Sequence, residues 1–290
     1  HEFVHKNFNA LNPFRAPEFV RDWNINQITG KADENLVLSL FSLKSKNGFG
    51  FDYGFNKFDK GSLYSGNKHE ATINYNTKRW NIRACSNYLT SDADALDQTT
   101  TFVRPNISLA YKIGKSLNWS TGFVLDAESN KLKSIKTDSL FRSSYAFQHL
   151  KWFITNDFAN DFAIKLAYSV RDDYFGKENE LQKASVAKEL ELAGKWLASA
   201  NSDLQWSIIG RQLDITDQEL LPTDNSKKTI LGRLDYTFAA LNQGIRSTTS
   251  YNTNSGQEPK IEYIFQKVEV GQGDYVYIRE DSINPNLSIL

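Results

Sequence analysis

Apolar and polar residues alternate along most of the chain. In residues 47–58, glycine or aspartate separates four aromatic residues at every second position: Phe49, Phe51, Tyr53 and Phe55. A period of two is typical of a β-strand, because successive side chains leave opposite faces of the strand. Such a strand has one aromatic face and one small or polar face.

The same strand pattern recurs to give fourteen candidate strands. Their approximate bounds are 35–44, 48–58, 68–76, 79–89, 102–112, 117–127, 143–154, 161–171, 184–195, 203–213, 229–238, 244–251, 260–270 and 274–279. At about ten residues they can cross a bilayer at a tilt, whereas strands of soluble proteins usually have about five or six residues. We predict an all-β fold, an antiparallel up-and-down meander of about 14 long strands, which forms an outer-membrane β-barrel or part of a larger one.

Short and long connections alternate between these strands. Tight turns are predicted at 46–47, 77–78, 114–115, 159–160, 201–202 and 242–243. Longer polar stretches are predicted at 59–67, 90–101, 128–142, 172–183, 214–228 and 252–259. In a meander, every second connection lies at the same end, so one end is expected to carry tight turns and the other long loops. Outer-membrane barrels show this asymmetry.

The composition excludes several classes of protein. Basic and acidic residues balance at 34 each, so nothing indicates a partner nucleic acid. Aromatic residues make up 13% of the chain, which argues against disorder. The single cysteine, Cys85, excludes an internal disulfide. No run approaches the 18 or more apolar residues of a membrane helix.

The start of the chain and one internal segment bear on the domain organisation. The chain has no Met and no signal peptide at its start, so we expect a processed or excised piece, from which an export signal could have been lost. Residues 1–30 lack the period of two and are interpreted as an irregular leading segment or the end of a preceding domain. Residues 31–290 are assigned to the β-barrel or sheet domain. Residues 183–200 also fit a helical stripe, but their strand neighbours favour a strand.

Charged residues inside the strands follow the pattern of a barrel wall. Four basic residues on polar strand faces are predicted to face the lumen: Arg83, Arg104, Lys165 and Arg171. The aromatic residues Phe49, Phe51, Tyr53 and Phe55 are predicted to face lipid. Lys188 breaks the rule, because the strand register puts it on the apolar face, where a charge is costly. Aromatic residues near strand ends are expected to form interfacial girdles: Tyr75, Trp80, Tyr88, Tyr111 and Trp119.

Candidate catalytic and metal-binding residues are few. His69 and His149 lie within strands and lack a second ligand at metal-binding spacing, so a structural role is expected. Asp92, Asp94 and Asp97 form a weak calcium candidate, since alternate carboxylates can bind Ca²⁺ but the EF-hand spacing fails. We predict no catalytic residue and no cofactor. Residues 14–24, FRAPEFVRDWN, are expected to form an ion-pair cluster beneath a barrel mouth or at a domain junction, or else a partner-binding surface.

Four stretches carry a resemblance to a known group of proteins: NPFRAPEFVRDWN near the start, LGRLDYTF (231–238), GQEPK (256–260) and VEVGQGDYVYI (268–278). Together they resemble segments of large β-rich outer-envelope proteins of Bacteroidota, in the broad company of the type 9 secretion and gliding machinery. The resemblance implies a location in the outer membrane of a Gram-negative bacterium, and it transfers no catalytic residue.

Three hypotheses for function remain open at this point. The first is an outer-membrane β-barrel with a transport, translocation or structural role in the cell envelope, whose partners are outer-membrane lipid and other envelope proteins. The second is a soluble exported β-sandwich or extended sheet, in the periplasm or on the cell surface, that binds glycans or proteins. The third is an outer-membrane hydrolase, which requires His69 or His149 within hydrogen-bond reach of a serine or aspartate. The sequence does not indicate which substrate a pore would pass.

Overall fold

The computed structural model describes residues 2–4, 16–25, 32–114, 118–156, 161–199, 201–222, 226–241 and 244–255. One helix, α1, covers Ala16–Asp22, and one 3-10 turn covers Asp94–Leu96. The strands are β1 (Glu2–Val4), β2 (Glu34–Lys44), β3 (Phe49–Lys60), β4 (Tyr64–Asn76), β5 (Trp80–Ala93), β6 (Gln98–Ile113), β7 (Trp119–Ser134), β8 (Tyr145–Asn156), β9 (Phe162–Lys177), β10 (Glu180–Ser199), β11 (Ser202–Ile215), β12 (Lys227–Ala240) and β13 (Ile245–Asn254).

The thirteen strands of the described residues belong to one sheet, in the order in which they occur along the chain. Every neighbouring pair is antiparallel, which confirms the predicted all-β up-and-down meander. The long strands β2–β13 correspond one by one to the first twelve predicted strands. The predictions for 260–270 and 274–279 lie outside the described residues.

Turns at one end of the sheet are tight, as predicted, and this end is called the tight-turn end. It includes the connections 45–48 and 77–79. The first of these needs a glycine, because Gly48 has a φ of +83° and a Cβ there would lie 1.9 Å from the carbonyl oxygen of Asn76. The Asn76 N–H donates to the Gly48 carbonyl, which joins the β2–β3 turn to the next strand.

The prediction of long loops at the other end is wrong for most of the connections described there. Strands β4–β7, β9 and β10 continue well beyond their predicted bounds and β3 continues two residues beyond its own, so that only 61–63, 94–97 and 178–179 separate three of the pairs. The connections 135–144 and 216–226 remain long. Strand lengths consequently reach 20 residues in β10. This end is called the long-strand end.

Residues 183–200 lie mostly in β10, which confirms a strand rather than a helix. The register with β9 shifts between Lys183 and Ser185, where the strand carries a bulge. Lys188 pairs with Val170 on one side and with Gln212 on the other. It therefore lies on the apolar face, as predicted, but at the point where that face begins to carry polar residues toward the long-strand end.

The sheet has two faces that are defined by the strand register. The outer face carries Phe49, Phe51, Tyr53 and Phe55, and the inner face carries the residues between them. A short segment, residues 19–25, packs against the inner face of β2–β7 and is called the bound segment. A helix is only about 10 Å wide, whereas six flat strands span about 24 Å. The sheet must curve around the bound segment for both to touch.

Apolar residues change face along the strands. Toward the tight-turn end they line the outer face. Toward the long-strand end the buried ones lie on the inner face and form the core with Trp23: Leu36, Phe58, Tyr64, Leu89, Ala93 and Phe102. There the outer face carries polar residues such as Lys57, Ser65 and Asp92. Apolar and polar residues thus continue to alternate along these strands, but toward the long-strand end the apolar residues lie on the inner face instead of the outer face. This exchange of faces is called the inversion of phase.

The described sheet is curved and open. Within the described ranges, no pairing joins β13 to β2, and β1 covers only the Glu34–Leu36 part of the β2 edge. No second sheet lies against the outer face in the same residues. The described part of the chain is therefore one barrel-like sheet that is not closed, and it lacks the two packed layers of a sandwich.

Candidate functional site

The bound segment is anchored by Trp23. Its side chain is 2% exposed and packs against the ring of Phe58, with ring centroids 5.5 Å apart. Phe19 meets Phe58 edge-on at 5.0 Å. The Tyr64 hydroxyl donates to the Trp23 carbonyl oxygen at 2.5 Å, and the Lys68 ammonium lies 5.2 Å from the Trp23 ring centroid. These contacts fix the segment to β3 and β4.

Charged and amide groups fix the same segment to more distant strands. Asp22 accepts a hydrogen bond from Arg104 on β6 at 2.7 Å and lies 3.7 Å from the Lys68 ammonium. Arg21 pairs with Glu128 on β7 at 3.3 Å, and the Asn24 amide donates to Asn130 at 3.1 Å. The expected ion-pair cluster of residues 14–24 is therefore present for Arg21 and Asp22. The side chains of Arg15 and Glu18 lie outside the described residues.

The four residues predicted to face a lumen all lie on the inner face. Arg104 binds Asp22, and Arg171 pairs with Asp173 at 2.8 Å while it also stacks 4.3 Å from the Phe147 ring centroid. Lys165 bonds to Glu191 at 2.7 Å. Arg83 lies between Asn74 and Ser108. The register places them together on one face, although whether this face lines a lumen stays a prediction.

Glu191 is a further inner-face residue that sequence reasoning missed. It bridges two lysines from neighbouring strands, Lys151 at 3.0 Å and Lys165 at 2.7 Å. Only the pairing of β8, β9 and β10 brings these residues together, because they are 26 and 40 positions apart in sequence. The bridge leaves one positive charge in excess at this point of the inner face.

The four residues predicted to face lipid all lie on the outer face. Phe49 and Tyr53 are more than a third exposed, and Phe51 and Phe55 are half-buried among their neighbours. Phe51 contacts Phe41 of β2, with ring centroids 6.4 Å apart. In the described residues these contacts come from the same sheet. Lipid exposure itself stays a prediction.

Most of the predicted girdle residues lie in one band at the tight-turn end. Trp80 and Tyr111 pair across β5 and β6, and their rings lie 4.6 Å apart. Tyr75 and Trp119 lie close to the same turns. Tyr88 lies farther toward the long-strand end, where its ring centroid is 6.4 Å from that of His69. The aromatic residues therefore mark two levels of the outer face.

Among the described residues, neither strand histidine is hydrogen-bonded to the serine or aspartate that a hydrolase would require. His69 shares a 2.8 Å hydrogen bond with the Tyr53 hydroxyl on the outer face. His149 lies on the inner face between Asp126 and Arg171, and no hydrogen bond joins it to a serine or aspartate of the described chain. His1 and His5 lie outside the described residues.

The three aspartates of the calcium candidate do not converge. Asp92 lies on the outer face of β5, and Asp94 begins the 3-10 turn. Asp97 accepts hydrogen bonds from the Ser134 hydroxyl and the Lys136 N–H, so it ties the turn to β7. Within the described ranges, no group of three His, Cys, Asp or Glu side chains is placed to hold a metal ion.

One long connection at the long-strand end is held by Asp217. Its carboxylate accepts hydrogen bonds from the Lys177 ammonium at 2.7 Å and from the Glu219 N–H at 2.9 Å. The Lys177 hydrogen bond, with smaller help from the backbone N–H groups of Glu219 and Leu220, lowers the pKa of Asp217 below its usual range. A carboxyl with a lowered pKa contributes stability that is present above its unfolded pKa of about 3.9 and is lost as the pH falls through the folded value.

Acid should therefore release this connection. We expect cleavage within 216–222 by pepsin to accelerate as the pH falls below about 3.9, because protonated Asp217 no longer binds Lys177. An Asp217→Asn variant should be cleaved rapidly at pH 5 as well. Equal protection of the variant and the parent chain at pH 5 would contradict this role of Asp217. Mass spectrometry of the fragments identifies the cleaved bonds.

Comparisons with known proteins identify no family. No protein-family model matches the chain, and no curated protein matches it. Among solved structures, the chain is similar to one described as the CymD monoaromatic hydrocarbon channel, with 9% sequence identity and a TM-score of 0.30 over 71% of this chain and 78% of the channel. A likeness of this degree carries no argument about function. The resemblance to outer-envelope proteins of Bacteroidota stays a prediction.

Proposed function

We propose that the chain is an outer-membrane β-barrel protein, or part of a larger barrel, with a transport, translocation or structural role in the bacterial envelope. The observation that carries the proposal is the uncharged band on the outer face. In residues 49–55 of β3, 103–111 of β6 and 162–170 of β9, the outer-face positions hold no Asp, Glu, Lys or Arg. The inner face of the same strands carries Asp52, Arg104 and Lys165.

The height of this band fits a bilayer. Nine residues of β9, from Phe162 to Val170, extend about 27 Å along the strand at about 3.3 Å per residue. Tilted by roughly 40°, they rise about 20 Å, which is close to the roughly 25 Å apolar band of outer-membrane barrels. The aromatic level at Trp80 and Tyr111 lies at one edge of the band, where such residues meet the headgroups. No helix of the described residues is long and apolar enough to cross a membrane.

The cost of burying charge supports the same assignment of faces. A charged side chain on the lipid face near the midplane costs about 2–4 kcal/mol, and the cost falls to about 0–1 kcal/mol near the interfaces. Lys188 lies beside Gln212, at the edge of the uncharged band, where a lysine has only a small free-energy cost. The inner face instead pairs its charges with one another, as Lys165 does with Glu191.

On this proposal the partners of the chain are outer-membrane lipid and other envelope proteins. The resemblance to Bacteroidota outer-envelope proteins fits a Gram-negative outer membrane and leaves the transported substrate unassigned. The soluble alternative, a secreted sheet that binds glycans or proteins, would need a second layer of protein over the outer face.

Extraction from membranes tests the proposal. We expect the protein to remain with the membrane fraction through salt and carbonate washes, to need detergent for solubility, and to migrate differently on gels before and after boiling. These properties follow from an apolar outer face and a hydrogen-bonded sheet that resists detergent. A monodisperse protein in detergent-free buffer would overturn the barrel and favour the soluble alternative.

A further inference from the structure

The inner face has an uneven distribution of charge. Toward the long-strand end its charges pair closely: Arg104 with Asp22, Lys68 with Glu70, and Arg171 with Asp173. Toward the tight-turn end, basic residues exceed acidic ones. The basic residues there include Lys44, Arg83, Lys112, Lys151, Lys165, Lys195 and Arg246, and the acidic ones include Asp52, Asp126, Glu191, Asp203 and Asp235.

The local surroundings preserve this excess. Arg83 faces the neutral residues Asn74 and Ser108 on the two neighbouring strands. Lys151 and Lys165 share the single carboxylate of Glu191. Lys195 lies 3.4 Å from Asp203, a pair that is about a third exposed on each side. The positive charges of the inner face are therefore incompletely neutralised on β5 and on β8–β9, which are separated by β6 and β7 in the same sheet.

We infer that the tight-turn end of the inner face forms a basic vestibule that selects small anions over cations. The inference deepens the proposed function and rests on it, because it requires the inner face to line a water-filled passage. Rings of Arg and Lys give anion preference in pores, and a low-dielectric wall focuses their field on the passage. The screening length of about 10 Å at 0.1 M salt is comparable with the dimensions of such a passage.

Ion selectivity in planar bilayers is the direct test. With a tenfold KCl gradient, the reversal potential should lie toward the chloride equilibrium value. The triple substitution Arg83→Gln, Lys112→Gln and Lys195→Gln should move it toward zero or beyond. The control triple Lys57→Gln, Lys131→Gln and Lys228→Gln removes the same charge from the outer face near the long-strand end and should leave the potential unchanged. A cation-selective parent chain would overturn the inference.

The single cysteine provides a second test that needs no current. Cys85 lies on the inner face, two positions from Arg83, between Thr72 and Asn106. Two positions along a strand correspond to about 7 Å. At that distance, before screening by salt, the positive charge of Arg83 should make an anionic reagent react with Cys85 about sevenfold faster than a cationic one, relative to the ratio without this charge. In membrane-inserted protein, an anionic methanethiosulfonate should therefore modify Cys85 faster than a cationic one, relative to a free thiol. Arg83→Gln should lower this ratio severalfold.

The outcomes separate the two proposals. If both reagents reach Cys85 at the ratio of a free thiol, or if the cationic reagent is the faster, the vestibule is refuted and the barrel stands. If neither reagent reaches Cys85 in membrane-inserted protein, the inner face at β5 does not line water, and the vestibule is refuted while the barrel stands. Protein that never enters the membrane fraction refutes both.

Discussion

Replacing Ile208 with arginine is expected to lower the free energy of unfolding from lipid vesicles by about 2–4 kcal/mol, the cost of a cation on the lipid face near the midplane. Ile208 lies on the outer face of β11, is 51% exposed, and pairs with Leu192 and Gly232 inside the uncharged band. The measurement is a denaturant titration of the protein in phospholipid vesicles, with tryptophan fluorescence as the signal.

The neighbouring isoleucine provides a matched control. Ile209 lies on the inner face and pairs with Glu191 and Leu231, so an arginine there meets a carboxylate and water. Ile209→Arg should cost well under half as much, since inner positions of a barrel tolerate charge. The two variants differ only in which face receives the same side chain. A larger loss at Ile209 than at Ile208 would reverse the proposed orientation of the sheet.

Replacing Trp23 with alanine is expected to detach the bound segment from the inner face. Truncating a buried tryptophan costs about 3–5 kcal/mol when the surroundings cannot collapse. Here the loss is limited to the free energy with which the segment binds, because the strands keep their pairing when the segment leaves. The expected result is rapid trypsin cleavage after Arg21, read by mass spectrometry, with the sheet signal in circular dichroism unchanged.

A tryptophan on the other face is the control for this experiment. Trp152 on β8 is 44% exposed on the outer face and pairs with Phe123 and Tyr168. Trp152→Ala should leave the bond after Arg21 as resistant as in the parent chain. Equal resistance in Trp23→Ala would mean that the ion pairs of Arg21 and Asp22 hold the segment without the tryptophan.

The strands could be predicted because their alternation is a local property. Twelve of the fourteen segments correspond to β2–β13, and even the helix-like composition of 183–200 does not prevent β10 from pairing on both sides. Leu190 and Leu192 fit the strand because they pair with Tyr168 and Leu166 on the outer face. Pairing with neighbours overrides helix propensity here.

The strand ends at the long-strand end could not be read in the same way. On β3 the apolar residues shift from Phe55 on the outer face to Phe58 on the inner face, so the pattern loses its phase. The sequence prediction ends this strand at Phe58 and assigns 59–67 to a loop, whereas β3 continues to Lys60. Phe58 is buried on the inner face because it packs against Trp23. Trp23 is remote in sequence, so no local pattern indicates this contact.

The inner-face site could be predicted only in part. Parity along the strands places Arg104 and Lys165 on the face opposite the aromatic residues, and the register of the sheet gives the same placement. Their partners, Asp22 and Glu191, depend on the fold, because the first belongs to the bound segment and the second lies two strands from Lys151. The odd or even position of a residue along its strand predicts which face it lies on. Predicting which residues it contacts also requires the register between the strands.

The inversion of phase also bears on where the bilayer would end. A strand whose apolar side chains change face partway along its length passes from an apolar solvent into water. On β3, β5 and β6 the change lies between Phe55 and Phe58, at Tyr88–Leu89 and at Phe102–Val103. If the protein lies in the outer membrane as proposed, these positions mark the boundary of the hydrocarbon layer on the side of the long-strand end. Beyond them the sheet would project from the membrane as a water-exposed collar, which keeps its own apolar interior.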